Sequence, residues 1–183
     1  MSKLKPNTPF DGYAREFDGL NISHPSGFEI ASLAVANGEY KAFAKSFKKT
    51  YGNTLPEPGT WNELKNGKTL WTGQNQYFLL QYVEDDRLDE TLAGKFDGEA
   101  YATLQTDGWA ALDVSGERVH EVLERFVPLD LRSKEVGFGA RTTAHHMSVI
   151  VLKTDNDAYH LFTPASSSAG FLDAFEHVIG NIL

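Results

Sequence analysis

The stretch that most constrains the fold is Leu112-Asp-Val-Ser-Gly-Glu-Arg-Val-His-Glu-Val-Leu-Glu-Arg-Phe126. Its first residues suit a short strand. Val119, Val122, Leu123 and Phe126 then fall at i, i+3, i+4 and i+7, which is one face of a helix. Ser115 is expected to cap that helix, and Pro128 follows its last turn. A second strand-then-helix signal lies upstream, from Phe28 to Tyr51, so the chain reads as internally duplicated.

The remaining segments extend this pattern. Phe28 to Val35 reads as a strand. Asn37 is expected to cap a helix with Tyr40, Phe43, Ala44, Phe47 and Tyr51 on one face, stopped by Gly52. Leu55-Pro-Glu-Pro-Gly59 is a turn-rich connector. Thr69 to Thr72 and Tyr77 to Val83 read as strands joined by a hairpin at Gly73 to Gln76. Asp85 or Asp86 is expected to cap a helix carrying Leu88, Leu92 and Phe96. Tyr101 to Gln105 alternates as a strand, and Asp107-Gly108 is expected to turn it into Trp109 to Val114.

After the central helix comes a loop containing Lys134 to Arg141, then strands His146 to Lys153 and Ala158 to Thr163. A final helix buries Phe171, Leu172, Phe175, Val178 and Ile179, with one of Ser166 to Ser168 as its cap. The order implies an α+β fold of duplicated ferredoxin-like βαββα units, in two layers with mainly antiparallel sheet. Residues 1–26 are expected to form an irregular arm bearing Phe10, Tyr13 and Phe17. Residues 27–183 are expected to form one duplicated domain with lobes of about 27–106 and 107–183.

Composition narrows the chemistry. A chain of 183 residues, 41% hydrophobic, can bury a sizeable core. It has no cysteine, which excludes disulfides and thiolate sites. The formal net charge of -8 argues against nucleic-acid binding. The basic cluster Lys41, Lys45, Lys48 and Lys49 reads as the solvated face of a helix. No run reaches the roughly 20 apolar residues of a membrane span, and Met1 to Pro6 lacks a signal-peptide core. A cytoplasmic location is expected.

Candidate chemical groups each meet a plainer reading. His145-His146, taken as strand residues, point to opposite faces and cannot share one ion. Glu117-Arg-Val-His120 is a single Glu-x-x-His where a di-iron bundle needs two. Gly137-Phe-Gly-Ala-Arg-Thr142 lacks the third glycine of a dinucleotide fingerprint and follows a helix. Ser166-Ser-Ser168 suits capping better than anion binding. Glu84-Asp-Asp86 and Asp155/Asp157 fall in expected turns, where Asp is favoured. No residue is assigned a catalytic, cofactor-binding or metal-ligating role.

Read in order, several segments resemble the gamma subunit of heterotetrameric sarcosine oxidase. They are Phe28 to Val35, Leu55-Pro-Glu-Pro-Gly-Thr-Trp61, Thr69 to Leu80 and Asp107-Gly-Trp-Ala-Ala-Leu-Asp-Val-Ser-Gly116. Phe126 to Leu131, Ala140-Arg-Thr142 through Met147, and Tyr159-His-Leu-Phe162 complete the series. The likeness covers residues 27–180 and leaves out the arm. More distantly, Leu112 to Gly116 with its helix is similar to the folate-binding domain of glycine-cleavage T-proteins (aminomethyltransferases). No position matches the T-protein's catalytic Asp, and Asp113 reads as structural.

The resemblance implies a non-catalytic structural subunit that packs against a large alpha subunit, with beta and delta subunits completing the complex. That complex oxidatively demethylates sarcosine to glycine. FAD, FMN, NAD, tetrahydrofolate and zinc belong to its other subunits, and none to this one. Such a subunit should expose an apolar patch, with Phe10, Tyr13, Phe17 and Phe138 as candidates. Two alternatives stay open. One is a free-standing folate-binding one-carbon transfer protein, whose pocket would use Trp71, Trp109 or Tyr101. The other is a scaffold of another N-methyl amine oxidase complex.

Overall fold

The computed structural model describes residues 9–82 and 88–183. The expected caps Asp85 and Asp86, the carboxylates Glu84 to Asp86, Val83 and the segment Met1 to Pro6 lie outside the described residues. The strands are β1 (Ala14–Phe17), β2 (Leu20–Ser23), β3 (Phe28–Val35), β4 (Trp61–Leu64), β5 (Gly67–Gly73) and β6 (Gln76–Tyr82). They continue with β7 (Ala100–Leu104), β8 (Trp109–Ser115), β9 (Gly139–Ala144), β10 (Met147–Asp155) and β11 (Ala158–Pro164). The helices are α1 (Tyr40–Tyr51), α2 (Leu88–Lys95), α3 (Val119–Phe126) and α4 (Ser168–Gly180).

Two compact units result. One is residues 27–106; the other joins the N-terminal residues through Ser26 to residues 107–183. Each contains one antiparallel sheet. The 27–106 unit has the order β4-β5-β6-β3-β7, and the 107–183 unit the order β9-β10-β11-β8-β2-β1. Written this way the duplication is visible strand by strand. Each half also carries one strand more than the periodicity predicts, β4 in the first and β9 in the second. The place that β7 holds beside β3 is held beside β8 by β2.

That substitution corrects the expectation of an irregular arm. Residues 14–23 form a hairpin in which Ile22 pairs with Val114 and Ser23 with Asp113. Leu20 and Ile22 alternate into the core, so the period-2 pattern was present but short. The predicted turn from β7 into β8 is also corrected. Thr106–Gly108 is a short 3-10 turn, and the two strands it joins belong to different sheets.

In each unit the helices cover one sheet face. Phe43 and Phe47 of α1 and Leu88 and Leu92 of α2 pack with Ala31, Leu33, Tyr77 and Leu79. Phe43 and Phe47 are fully buried, and Phe96 meets Phe43 edge-on at 5.0 Å. Burial of this kind contributes roughly 1.5–3 kcal/mol per side chain. In the other unit, Val119, Val122, Leu123 and Phe126 of α3 join Phe171, Phe175 and Ile179 of α4 over Leu112, Val114, Val149 and Leu161. The helical stripe read from the sequence is therefore the buried one.

The helix starts differ from expectation. Ser115 is the last residue of β8, where it pairs with Ala158 and Asn21, and Arg118 occupies the N-cap position without a side-chain cap bond. Asn37 likewise yields to Glu39, because a backbone turn from Glu39 to Ala36 holds the start of α1. Gly52 ends α1 at φ 74°, its N–H donating to Lys48, as predicted.

Candidate functional site

Alternation along β8 sends Leu112 and Val114 to the helix-covered core and leaves Asp113 on the opposite face. Directly across from it, on β11, stands His160. An Asp113 Oδ1–His160 Nδ1 hydrogen bond joins them, with the side chains 38% and 19% exposed. Ser23 of β2 is the cross-strand neighbour on the other side of Asp113. The carboxylate orients the imidazole through Nδ1, leaving Nε2 as its second polar position. In the sequence His160 stands within Tyr159-His-Leu-Phe162 and carries no assigned role. The available signal was that both residues hold the polar phase of an alternating strand.

His145 and His146 are not strand residues. They form the two-residue turn between β9 and β10, with φ of 45° and 68°, and Ala144 pairs with Met147 across it. The strand twist selects such turns, which normally draw Asn and Gly. Both imidazoles are exposed, and the His145 ring lies 5.5 Å from Phe126.

His120 is buried on α3, with Nε2 3.1 Å from the Asn156 carbonyl and 3.4 Å from Asp157 Oδ1. Its Nδ1 is buried without a hydrogen-bond partner among the described residues. Glu117 is exposed, so the Glu-x-x-His pair does not converge. Asp155 caps its own turn, accepting from the Asn156 N–H at 2.7 Å. Among the described residues no three His, Asp or Glu side chains are grouped as metal ligands.

The glycine-containing loop serves the sheet. Gly137 N–H donates to the Lys153 carbonyl, and Lys153 N–H to Phe138. The Lys153 ammonium is buried and donates to the carbonyls of Leu131 and Lys134, at 3.2 and 2.8 Å. Ser168 Oγ donates to the Ala165 carbonyl, while Ser167 takes the N-cap position of α4 without a side-chain cap bond.

The aromatics proposed for an exposed patch turn inward. Phe10 is 3% exposed in the core, and Tyr13, Phe17 and Phe138 are partly buried against it. Tyr13 OH donates to Glu176 Oε1 at 2.6 Å, and Arg15 pairs with the same carboxylate at 3.2 Å. Burial, reinforced by that carboxylate, holds the Tyr13 phenol well above its usual value. Trp71 packs against the core of its unit, the Arg141 guanidinium lies 5.4 Å over Trp109, and Tyr101 is 70% exposed on β7. Lys41, Lys45, Lys48 and Lys49 are exposed, as expected for a solvated face.

A groove of about 580 Å³ runs between α3 and the end of α4, lined by Glu121, Glu124, Arg125, Val178, Asn181 and Ile182. Its carboxylates are engaged, Glu121 by Arg118 at 2.8 Å and Glu124 by Arg132 at 2.9 Å. The Arg118 hydrogen bond lowers the Glu121 carboxyl below its ordinary value. Arg118 also reaches Asp18 and the Ile182 carbonyl, tying the N-terminal hairpin to the end of α4.

Two antiparallel sheets, each covered by a helix pair and built on a repeated strand order, define an aminomethyltransferase-like α+β fold. Among solved structures, this chain is similar to a chain of the heterotetrameric sarcosine oxidase from Corynebacterium sp. U-96, solved with pyrrole 2-carboxylate. The TM-score is 0.77 at 17% identity, covering 89% of this chain and 85% of that one. It is also similar to the glycine cleavage system aminomethyltransferase T from Bartonella henselae, with TM-score 0.67 at 11% identity over 86% of this chain. The match spans only 45% of that protein. No protein-family profile and no curated protein sequence matches the chain.

Proposed function

We propose that the chain is a non-catalytic, gamma-type structural subunit of a heterotetrameric sarcosine oxidase, or of a close relative acting on another N-methyl amine. Such a complex demethylates its substrate oxidatively, sarcosine giving glycine. The observation that carries this reading is the shared fold over 89% of this chain and 85% of the oxidase chain. The ordered series of sequence segments, from Phe28 to Phe162, supports the same reading. In this proposal the flavins, NAD, tetrahydrofolate and zinc reside in the alpha, beta and delta partners, and this chain packs against the large alpha subunit in the cytoplasm. Among the described residues no helix is long and apolar enough to cross a membrane.

Purifying the tagged protein from its own cells, under conditions that preserve complexes, tests the assignment. Partner chains with flavin absorbance and sarcosine-dependent peroxide formation are expected in the eluate. Recovery of the chain alone would sink the proposal. Micromolar tetrahydrofolate binding by the isolated chain, read by tryptophan fluorescence, would favour the one-carbon transfer alternative.

A further inference from the structure

In the 27–106 unit, a second cavity of about 230 Å³ is lined by Tyr51, Leu64, Lys65, Asn66, Gln81 and Lys95, with Thr50 beside them. Two lysines, Lys65 and Lys95, are among these residues. Lys68 leans on Glu63, Arg118 on Glu121, Arg132 on Glu124 and Arg15 on Glu176, while Lys153 donates to backbone carbonyls. Among the described residues, neither Lys65 nor Lys95 has a carboxylate within salt-bridge distance, and no carboxylate lines the cavity. An anion held between two lysine side chains is attracted by both charges.

The cavity is held by the fold. Lys65 and Asn66 form the turn between β4 and β5, and the Asn66 carbonyl accepts the Tyr82 N–H at 3.0 Å. Gly67 follows at φ 149°, where a Cβ would lie 1.9 Å from the Leu80 carbonyl oxygen. The turn cannot shift without disturbing the sheet. Lys95 is in the last turn of α2, with its ammonium 5.7 Å over the Tyr51 ring. Tyr51 OH donates to Gln81 Oε1 at 3.4 Å, which leaves the Gln81 amide N–H groups as donors. Burial pushes the Tyr51 phenol up to about 12, so it stays a neutral donor.

We infer that this cavity binds a phosphate group, either inorganic phosphate or the head of a small phosphomonoester. Lysines serve phosphate as point charges, and Asn66 and Gln81 bring amide groups to the same lining. The volume lies below the roughly 300 Å³ at which drug-sized pockets begin, so the ligand is small. Leu64 and the Tyr51 ring provide an apolar wall for a short organic body.

The test is calorimetric titration of the full chain with inorganic phosphate at low ionic strength, with glycerol phosphate and acetate as parallel arms. Saturable one-to-one phosphate binding is expected. It should weaken by about tenfold or more in a Lys65→Gln/Lys95→Gln variant and stay unchanged in Lys41→Gln/Lys45→Gln. All four lysines are at the surface, and circular dichroism confirms that each variant is folded. Tighter binding of glycerol phosphate identifies an ester as the ligand, and equal or weaker binding identifies free phosphate. Absence of saturation, equal loss in the control variant, or acetate binding as well as phosphate overturns the inference.

Discussion

The carboxylate of Glu29, buried on β3, accepts a hydrogen bond from the backbone N–H of Leu88 at 3.0 Å. A strand residue thus satisfies a donor of a helix 59 residues away in sequence. Local capping signals cannot reveal such a bond, because the acceptor comes from the sheet. Glu29→Ala leaves a buried N–H unsatisfied and should destabilise the chain by about 1–3 kcal/mol in urea unfolding. A change under about 0.5 kcal/mol would show that the contact does not contribute.

Gly116 closes the Leu-Asp-Val-Ser-Gly signature because another backbone passes over it. At φ 132°, a Cβ there would lie 2.3 Å from the Gly19 carbonyl oxygen. Gly98 has φ 73° with open space around it. Gly116→Ala should therefore cost more than about 2 kcal/mol, and Gly98→Ala about 1 kcal/mol. Equal denaturation midpoints for the two variants would contradict this account.

The Lys153 ammonium joins β10 to the loop after α3 through two carbonyls, and Tyr159 OH donates to one of them, that of Leu131, at 3.3 Å. Lys153→Met keeps the apolar stem and removes the charged donor. A loss of about 2–3 kcal/mol is expected, together with faster amide exchange across residues 131–138. Unchanged exchange in that segment would mean the loop is held by other contacts.

Burial pushes the phenols of Tyr51, Tyr77 and Tyr159 up to about 12, against about 10 for an unfolded tyrosine. Between those values the unfolded chain has released protons that the folded chain still holds. Stability is thus fully present below pH about 10 and declines as pH rises towards about 12. Tyr51→Phe should reduce that alkaline slope while leaving a folded protein at neutral pH. The slope is measured by urea titrations at successive pH values, with tyrosinate absorbance following ionisation. An alkaline slope identical to that of the unmodified chain would remove Tyr51 from this explanation.

Much of the helical architecture was legible because packing and periodicity agree. The stripes Phe43/Phe47 and Val119/Val122/Leu123/Phe126 are the buried ones, and Gly52 stops α1 through its left-handed backbone. The strands β4 and β9 were missed. Trp61–Leu64 is short, and Gly139–Ala144 is rich in small and polar residues, so neither carries a strong alternating pattern. The pair Asp113–His160 was equally out of reach, since its residues are 47 positions apart and meet only through the β8–β11 register.

The sequence by itself determined the order of the main elements and the face each helix buries, because those follow from local periods of 3.6 and 2. It also determined an acidic, cysteine-free chain with a repeated strand–helix signal. Only the tertiary structure decided which strands share a sheet. It placed β7 and β8 in different sheets and gave β2 the position beside β8 that β7 holds beside β3. It turned His145-His146 into a hairpin turn and made Gly116 a point of backbone contact. Strand partners are chosen by hydrogen bonding and burial between residues distant in sequence, and no local pattern encodes that choice.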